Sequence, residues 1–219
     1  MKWIRIALVS AAAISACSPK PEKSLLSDRS ASAPTSAVQP AAAPAPAPAA
    51  PSIEGIPAGE YTFDKAHTSL IFRVSHMGYS NFTAAISGID GKLQFDPAKP
   101  GDSRIMATVD PNSLAFSNPP KGFLEQIKGE EFLDAKKFPA ITFTSTSVEL
   151  TGPATAKVTG DLTLHGVTKP LTLDVTFNGG YGGMAQDPHA RIGFSAKGSL
   201  KRSDYGVSFG IPTPGSNMG

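Results

Sequence analysis

Cysteine, tryptophan and net charge are all scarce in this chain, and its first quarter lacks almost everything that builds a core. One Cys and one Trp occur in 219 residues. A lone thiol excludes an intramolecular disulfide and a thiolate-rich zinc cluster. Lys2 and Arg5 account for the formal +2, since the rest of the chain carries 18 basic and 18 acidic residues, and Ile56 to Gly219 holds 15 of each. Without a basic excess on the folded part, phosphate-neutralising nucleic-acid binding and polybasic recruitment to anionic lipid are both disfavoured. No Phe, Tyr or Gly precedes Gly55, and Ser30 to Ile53 has no charged or aromatic side chain. A core can be built only from about 164 residues, which suffices for one domain burying roughly 70% of its unfolded surface and argues against a two-domain enzyme.

What the amino terminus does have is an address. Met1-Lys2-Trp3-Ile4-Arg5 is a short basic region, and the apolar run Ile6 to Ile14 is too short to cross a bilayer as a helix. It ends in Ile14-Ser15-Ala16-Cys17, which resembles a bacterial lipobox: small residues admit the signal peptidase and the following thiol takes a diacylglycerol. Residues 1–16 are therefore expected to be a lipoprotein signal peptide and Cys17 the lipidation site. Thioether formation also disposes of a thiol that has no partner in an oxidising compartment. Ser18, rather than Asp, after the Cys points to a periplasmic protein anchored in the outer membrane.

Residues 17–55 are expected to be a disordered tether. Residues 31–51 contain ten Ala and six Pro, which alternate through Pro44-Ala45-Pro46-Ala47-Pro48. The prolines remove helical donors and favour extended PPII, so at about 3.1 Å per residue the segment reaches on the order of 100 Å.

From Gly55 onward the dominant period is two. Ala156, Val158, Gly160, Leu162 and Leu164 alternate with polar residues, as do Leu171, Leu173, Val175 and Phe177. Less regular alternation marks strands near 59–64, 69–77, 82–95, 103–110, 140–150 and 189–200. Gly88 and Gly91 predict a bulge or coil in the long third strand, and His165-Gly166 and Gly179 to Gly183 predict turns. Pro119-Pro120, the stripe Phe123, Leu124 and Ile127, and Gly129 predict one short helix. Successive strands without βαβ spacing indicate an all-β antiparallel barrel or sandwich.

Asp64-Lys65-Ala66-His67-Thr68-Ser69-Leu70-Ile71-Phe72-Arg73-Val74-Ser75-His76-Met77-Gly78 resembles the opening of the YceI family. The resemblance continues through Phe138 to Thr146, Gly160 to Pro170 and Arg202-Ser203-Asp204-Tyr205-Gly206. It implies an eight-stranded, lipocalin-like antiparallel barrel over residues 56–219, whose apolar interior holds a polyisoprenoid or similar long-chain lipid in the periplasm. Two departures stand out. Lys121-Gly122-Phe123-Leu124 replaces an Arg-Asp-x-His-Leu segment, so no polar role transfers there. Members usually continue past the position of Gly219 with a charged strand, so the domain is expected to be C-terminally truncated.

Eight strands enclose either a filled core or room for one ligand. The faces of Leu70, Phe72, Val74, Ile141, Phe143, Val158, Leu162, Leu164, Leu173, Val175, Phe177, Ile192 and Phe194 are expected to line an apolar lumen, with Gly160 and Gly193 in or beside these rows. His67, Arg73 and His76 are the expected head-group contacts, because a diphosphate or quinone oxygen needs donors at the mouth. The bland alternatives are an ordinary core, histidines that satisfy backbone groups, and an outward arginine.

The expected function is non-catalytic binding of a polyprenyl lipid or isoprenoid quinone, with no cofactor, no metal and a homodimer left open. Gly206-Val207-Ser208-Phe209-Gly210 matches G-x-S-x-G, but Pro212 and Pro214 deny it the following helix of a nucleophile elbow, and a terminal strand is the simpler reading. His67, His76, His165 and His189 lack metal-ligand spacing, and His165 reads as a turn residue. The remaining alternative is an interaction module serving a membrane cytochrome or quinone system without its own ligand, docked through Glu130, Glu131, Lys136 and Lys137.

Overall fold

The computed structural model describes residues 51–211 and the backbone of Ile4 and Arg5. The apolar part of the export signal, Cys17, the tether as far as residue 50, and residues 212–219 lie outside the described residues.

Strands in chain order are β1 (Ile4–Arg5), β2 (Gly59–Thr62), β3 (Leu70–His76), β4 (Ser80–Ile86), β5 (Ile89–Phe95), β6 (Arg104–Val109), β7 (Leu114–Phe116), β8 (Ile141–Gly152), β9 (Thr155–Leu164), β10 (Val167–Tyr181), β11 (Arg191–Lys197) and β12 (Ser199–Leu200). One helix, α1 (Phe123–Lys128), interrupts them between β7 and β8. Every pairing is antiparallel. Seven strands run in the order β11-β10-β9-β8-β6-β5-β2, three in the order β3-β4-β7, and β1 pairs with β12. The large sheet curls until its two edges approach: Phe95 on β5 and Phe194 on β11 bring their ring centroids within 6.2 Å. The result is a nearly closed, barrel-like sheet.

Each stretch marked by alternation holds a strand, but the described strands outnumber the expected eight. The long third one divides at Ser87-Gly88 into β4 and β5, because the loop Asp110–Ser113 staples the corner. Gly88 N donates to Ser113 Oγ at 2.7 Å, and Asp110 N donates to Gly88 O at 2.7 Å. A β-carbon on Gly88 would stand 2.8 Å from that same hydroxyl. The short β7 follows immediately and pairs with β4, a strand too brief for alternation to reveal.

The ladder β8–β9–β10 is the most regular part. Thr142, Thr163 and Thr168 stand in register on the wet face, while Phe143 and Leu162 share a register position on the dry one. His165 and Gly166 both take positive φ, 52° and 75°, which is the two-residue I′ hairpin that suits the right-handed twist of its flanking strands. The glycine cluster is a correction. Gly179 and Gly180 are part of β10, with a bulge between Phe177 and Gly179, and the turn comes after Tyr181. Helix α1 forms where expected. It starts after Gly122 at φ 79° and ends at Gly129. Its apolar stripe packs inward, Leu124 and Ile127 against the Ala84, Ile86, Ile89, Val109 and Leu114 cluster and Phe123 against Phe82 and Phe116.

Gly206 to Gly210 is not a terminal strand. It follows a 3₁₀ turn (Arg202–Tyr205) with Val207 buried and Ser208 exposed. A 3₁₀ turn rather than a strand leads directly into Ser208, so the strand-turn-helix that presents a strained nucleophile is not built. Lys136, Lys137, Glu130 and Glu131 are all exposed, and Lys137 Nζ lies 5.2 Å from the Phe138 ring centroid.

Candidate functional site

Alternation puts one side of every strand inward, and the inward side here does not meet in the middle. The concave face encloses a cavity of about 2420 Å³, well beyond the roughly 300–1,000 Å³ of sites for drug-sized ligands. All thirteen apolar residues expected in the lumen line it. They come from β3, β8, β9, β10 and β11. Small residues keep the wall thin. Gly160 faces the Phe143 ring, and Ala156 pairs with Val175, which pairs in turn with Ala196. Slender side chains on a curved sheet leave the volume open rather than filled.

The three expected head-group residues do not meet. His67 and His76 both line the cavity, but His67 lies just before β3 and His76 is its last residue, and the strand's seven residues span roughly 20 Å. Arg73 lies on the opposite face of that strand, paired with Thr83, and is not among the lining residues. It alternates with Phe72 and Val74, which take the inner positions. The two imidazoles thus belong to different ends of β3, and Arg73 stands on its outer face.

Around His76 the neighbours are rings. His76 meets Phe82 edge to face at 4.8 Å, Phe82 stacks on Phe123 at 5.3 Å, and Phe132 meets Phe209 at 5.1 Å. Tyr79, in the β3–β4 turn, is 83% exposed.

Around His67 the neighbours are charged. Arg191, the first residue of β11, donates from Nη1 to Asp64 Oδ2 at 2.6 Å and from Nε to Asp187 Oδ2. Tyr181 donates its hydroxyl to the same Asp187 oxygen at 2.8 Å. His67 Nδ1 lies 2.9 Å from Asp64 Oδ2, and His189 Nδ1 lies 3.4 Å from Asp187 Oδ1. The cluster ties the segment after β2 to the hairpin between β10 and β11, and all six residues line the cavity. The hydrogen bond with His67 first, then those from Ala66 N and Arg191, holds the Asp64 carboxyl below its ordinary range. Arg191 and then Tyr181 hold Asp187 well below it. The same contact raises Tyr181. Both carboxylates are therefore ionised at neutral pH.

Sequence reading missed Asp187, Arg191 and Tyr181, because they sit in and beside the loop read only as glycine-rich turn. The spacing Asp187-x-x-x-Arg191 is a faint signal without a helix to carry it. At the other end, Arg202 Nη1 donates to the carbonyls of Val207 at 3.0 Å and Phe209 at 2.6 Å, and burial lowers its affinity for the proton.

Residues 61–218 match the YceI-like domain family. The chain is 41% identical over 154 residues to a protein of Pseudomonas putida named UPF0312 protein, covering 68% of this chain and 77% of that one. A UPF0312 protein of Pseudomonas savastanoi pv. phaseolicola is 39% identical over 160 residues, covering 71% and 80%. Among solved structures, Burkholderia cenocepacia BcnA superposes with a TM-score of 0.55 at 28% identity, covering 67% of this chain and 86% of its own. The Campylobacter jejuni YCEI protein superposes with a TM-score of 0.55 at 32% identity, covering 69% and 86%. With most of the domain matched in sequence and the barrel-like sheet shared with solved relatives, this chain belongs to the YceI-like family.

Proposed function

We propose that the domain is a non-catalytic carrier that shields a long-chain isoprenoid lipid, a polyprenyl chain or an isoprenoid quinone, inside its lumen. The observation that carries this reading is the cavity of about 2420 Å³, whose mostly apolar lining includes all thirteen residues named from the alternation. Each CH₂ transferred from water into such a lining contributes roughly 0.8 kcal/mol, so several isoprene units supply ample driving force with no reacting group. The resemblance of the family blocks supports an isoprenoid over other apolar cargo. The exposed turn position of Ser208 supports a binding role over a hydrolytic one.

We propose further that the domain works in the periplasm, tethered to the outer membrane through acylated Cys17. Incorporation of labelled palmitate that disappears in Cys17→Ala is the expected behaviour of that anchor. For the cargo, delipidated protein is titrated with a long-chain prenyl quinone and followed by co-elution in gel filtration. A saturable one-to-one complex supports the carrier, and elution of all quinone as free aggregates contradicts it.

A further inference from the structure

The two ends of the lumen differ in what they show to water. At the Arg191 end the exposed Met184 lies in a turn closed by Asp187, whose carboxylate holds Arg191. At the His76 end three separate stretches of chain reach the rim. They are the β3–β4 hairpin, the loop between β7 and α1, and the segment after the 3₁₀ turn. These fall within runs 74–89, 111–120 and 205–211, none of which carries an Asp, Glu, Lys or Arg. The whole chain is 17% charged, so runs of that combined length would ordinarily hold several.

What the rim has instead is apolar surface. Tyr79 is 83% exposed, Phe209 46% and Ile211 40%. Tyr79 is held there by a tight turn: Met77 and Gly78 take φ 55° and 79°, and Tyr79 N donates to His76 O at 3.1 Å. Phe209 is braced by the Phe132 ring, and Ile211 N donates to Ser208 O at 3.2 Å. Behind them the apolar surface runs on into the lumen, which Met77, Phe82, Phe123, Phe132 and Phe209 line. Clustered exposed apolar side chains at the mouth of a cavity mark a docking face.

A protein set against this rim would cap the mouth, whereas a bilayer would join two apolar phases, so that a lipid chain passes between them without meeting water. The charge balance agrees. With 15 basic and 15 acidic residues over Ile56 to Gly219, the domain lacks the excess that draws a protein to anionic lipid, and contact must come from apolar insertion. A tyrosine at the tip suits the headgroup layer, where its ring is buried and its hydroxyl stays wet. The exposed Lys121 and Glu125 follow directly beside the rim and limit insertion to that depth.

We propose that the His76 end is a docking face for a lipid bilayer, inserted through Tyr79, Phe209 and Ile211 to the depth of the headgroups, and that cargo crosses there. This inference rests on the carrier reading above and specifies where the carrier exchanges its lipid.

The test places Tyr79→Trp, or His189→Trp at the opposite end, in the processed protein and adds vesicles of zwitterionic phosphatidylcholine brominated near the glycerol end of its chains. Emission from Tyr79→Trp is expected to move to shorter wavelength and to fall about twofold, at low and high salt alike, while His189→Trp keeps its spectrum. Tyr79→Asp changes an exposed residue outside the lumen lining. It is expected to slow transfer of a long-chain prenyl quinone from the vesicles severalfold, with the affinity for quinone supplied in detergent unchanged. Equal quenching at the two ends, none at Tyr79→Trp, or transfer as fast in Tyr79→Asp as in the parent overturns the docking face and leaves the carrier standing. Dimerisation that Tyr79→Asp abolishes, with Tyr79→Trp blind to the bromine, overturns it in favour of a contact between copies. Protein that takes up no quinone even from detergent overturns the carrier reading and this inference with it.

Discussion

The Phe143 ring lies against Gly160 so closely that a β-carbon on the glycine would come within 2.5 Å of its Cζ and within 2.5 Å of the Thr144 carbonyl oxygen. Phe143 is only 8% exposed and anchors the cluster of Val158, Leu162 and Tyr205. The ring could turn aside, but the backbone oxygen of a paired strand cannot. Gly160→Ala is therefore expected to destabilise the domain by about 1–3 kcal/mol, the usual range for an overpacked core. A shift of the urea midpoint at constant slope measures it, and an unchanged midpoint would show that the β8–β9 pair yields more easily than its register suggests.

Ser145 is a buried polar side chain whose hydroxyl accepts from Ile105 N at 2.9 Å, filling the gap left where the β8–β9 register shifts after it. Ser145→Ala leaves that N–H without its partner, at a cost of about 1–3 kcal/mol. Chemical denaturation reads the loss. Rapid deuterium exchange at Ile105 in the variant, against protection in the parent, identifies the bond as its source.

The Asp64–Arg191–Asp187 corner makes stability depend on pH in a set direction. Both carboxyls are held below their unfolded values, so the unfolded chain binds more protons as the solution is acidified. Their contribution is complete above about pH 4, the ordinary carboxylate pKa, and is lost as pH falls through the lower folded values. The corner is partly exposed, with side chains 24% to 48% accessible, so the contribution is modest. Thermal melts from pH 7 to pH 2 are expected to fall less steeply for Arg191→Met than for the parent. Parallel curves would mean that the bridge contributes nothing.

Phe194 is inward on β11, 5.4 Å from Phe177 and 6.2 Å from Phe95, yet 39% exposed because the lumen beside it is open. Trp3 is the only tryptophan in the chain. It falls within residues 1–16, the expected signal peptide, so Phe194→Trp in the processed protein reports on the lumen alone. Its emission is expected to move to shorter wavelength as prenyl alcohol replaces water, and an emission blind to saturating lipid would place the cargo elsewhere.

The sequence was legible wherever one short-range rule governed the outcome. Alternation found Val158, Leu162, Leu173 and Val175 on the dry face because one residue of slip would turn all of them to water. His165-Gly166 declared its hairpin because both positions must take positive φ. What stayed hidden was set by distance in the chain. The break at Gly88 depends on Ser113, and the corner pairs Asp64 with Arg191 across 127 positions. No local pattern encodes either contact. Arg73 follows the alternation: between Phe72 and Val74 it stands on the outer face of β3, paired with Thr83.

The central claim is that a long isoprenoid chain lies inside this domain. Native mass spectrometry of protein purified gently from its own cells, followed by organic extraction of the same sample, tests it most directly. The expected result is an added mass of one lipid per chain that extraction identifies as a prenyl compound. Protein that carries only its own mass, and gains none on incubation with prenyl alcohol or quinone, contradicts the account.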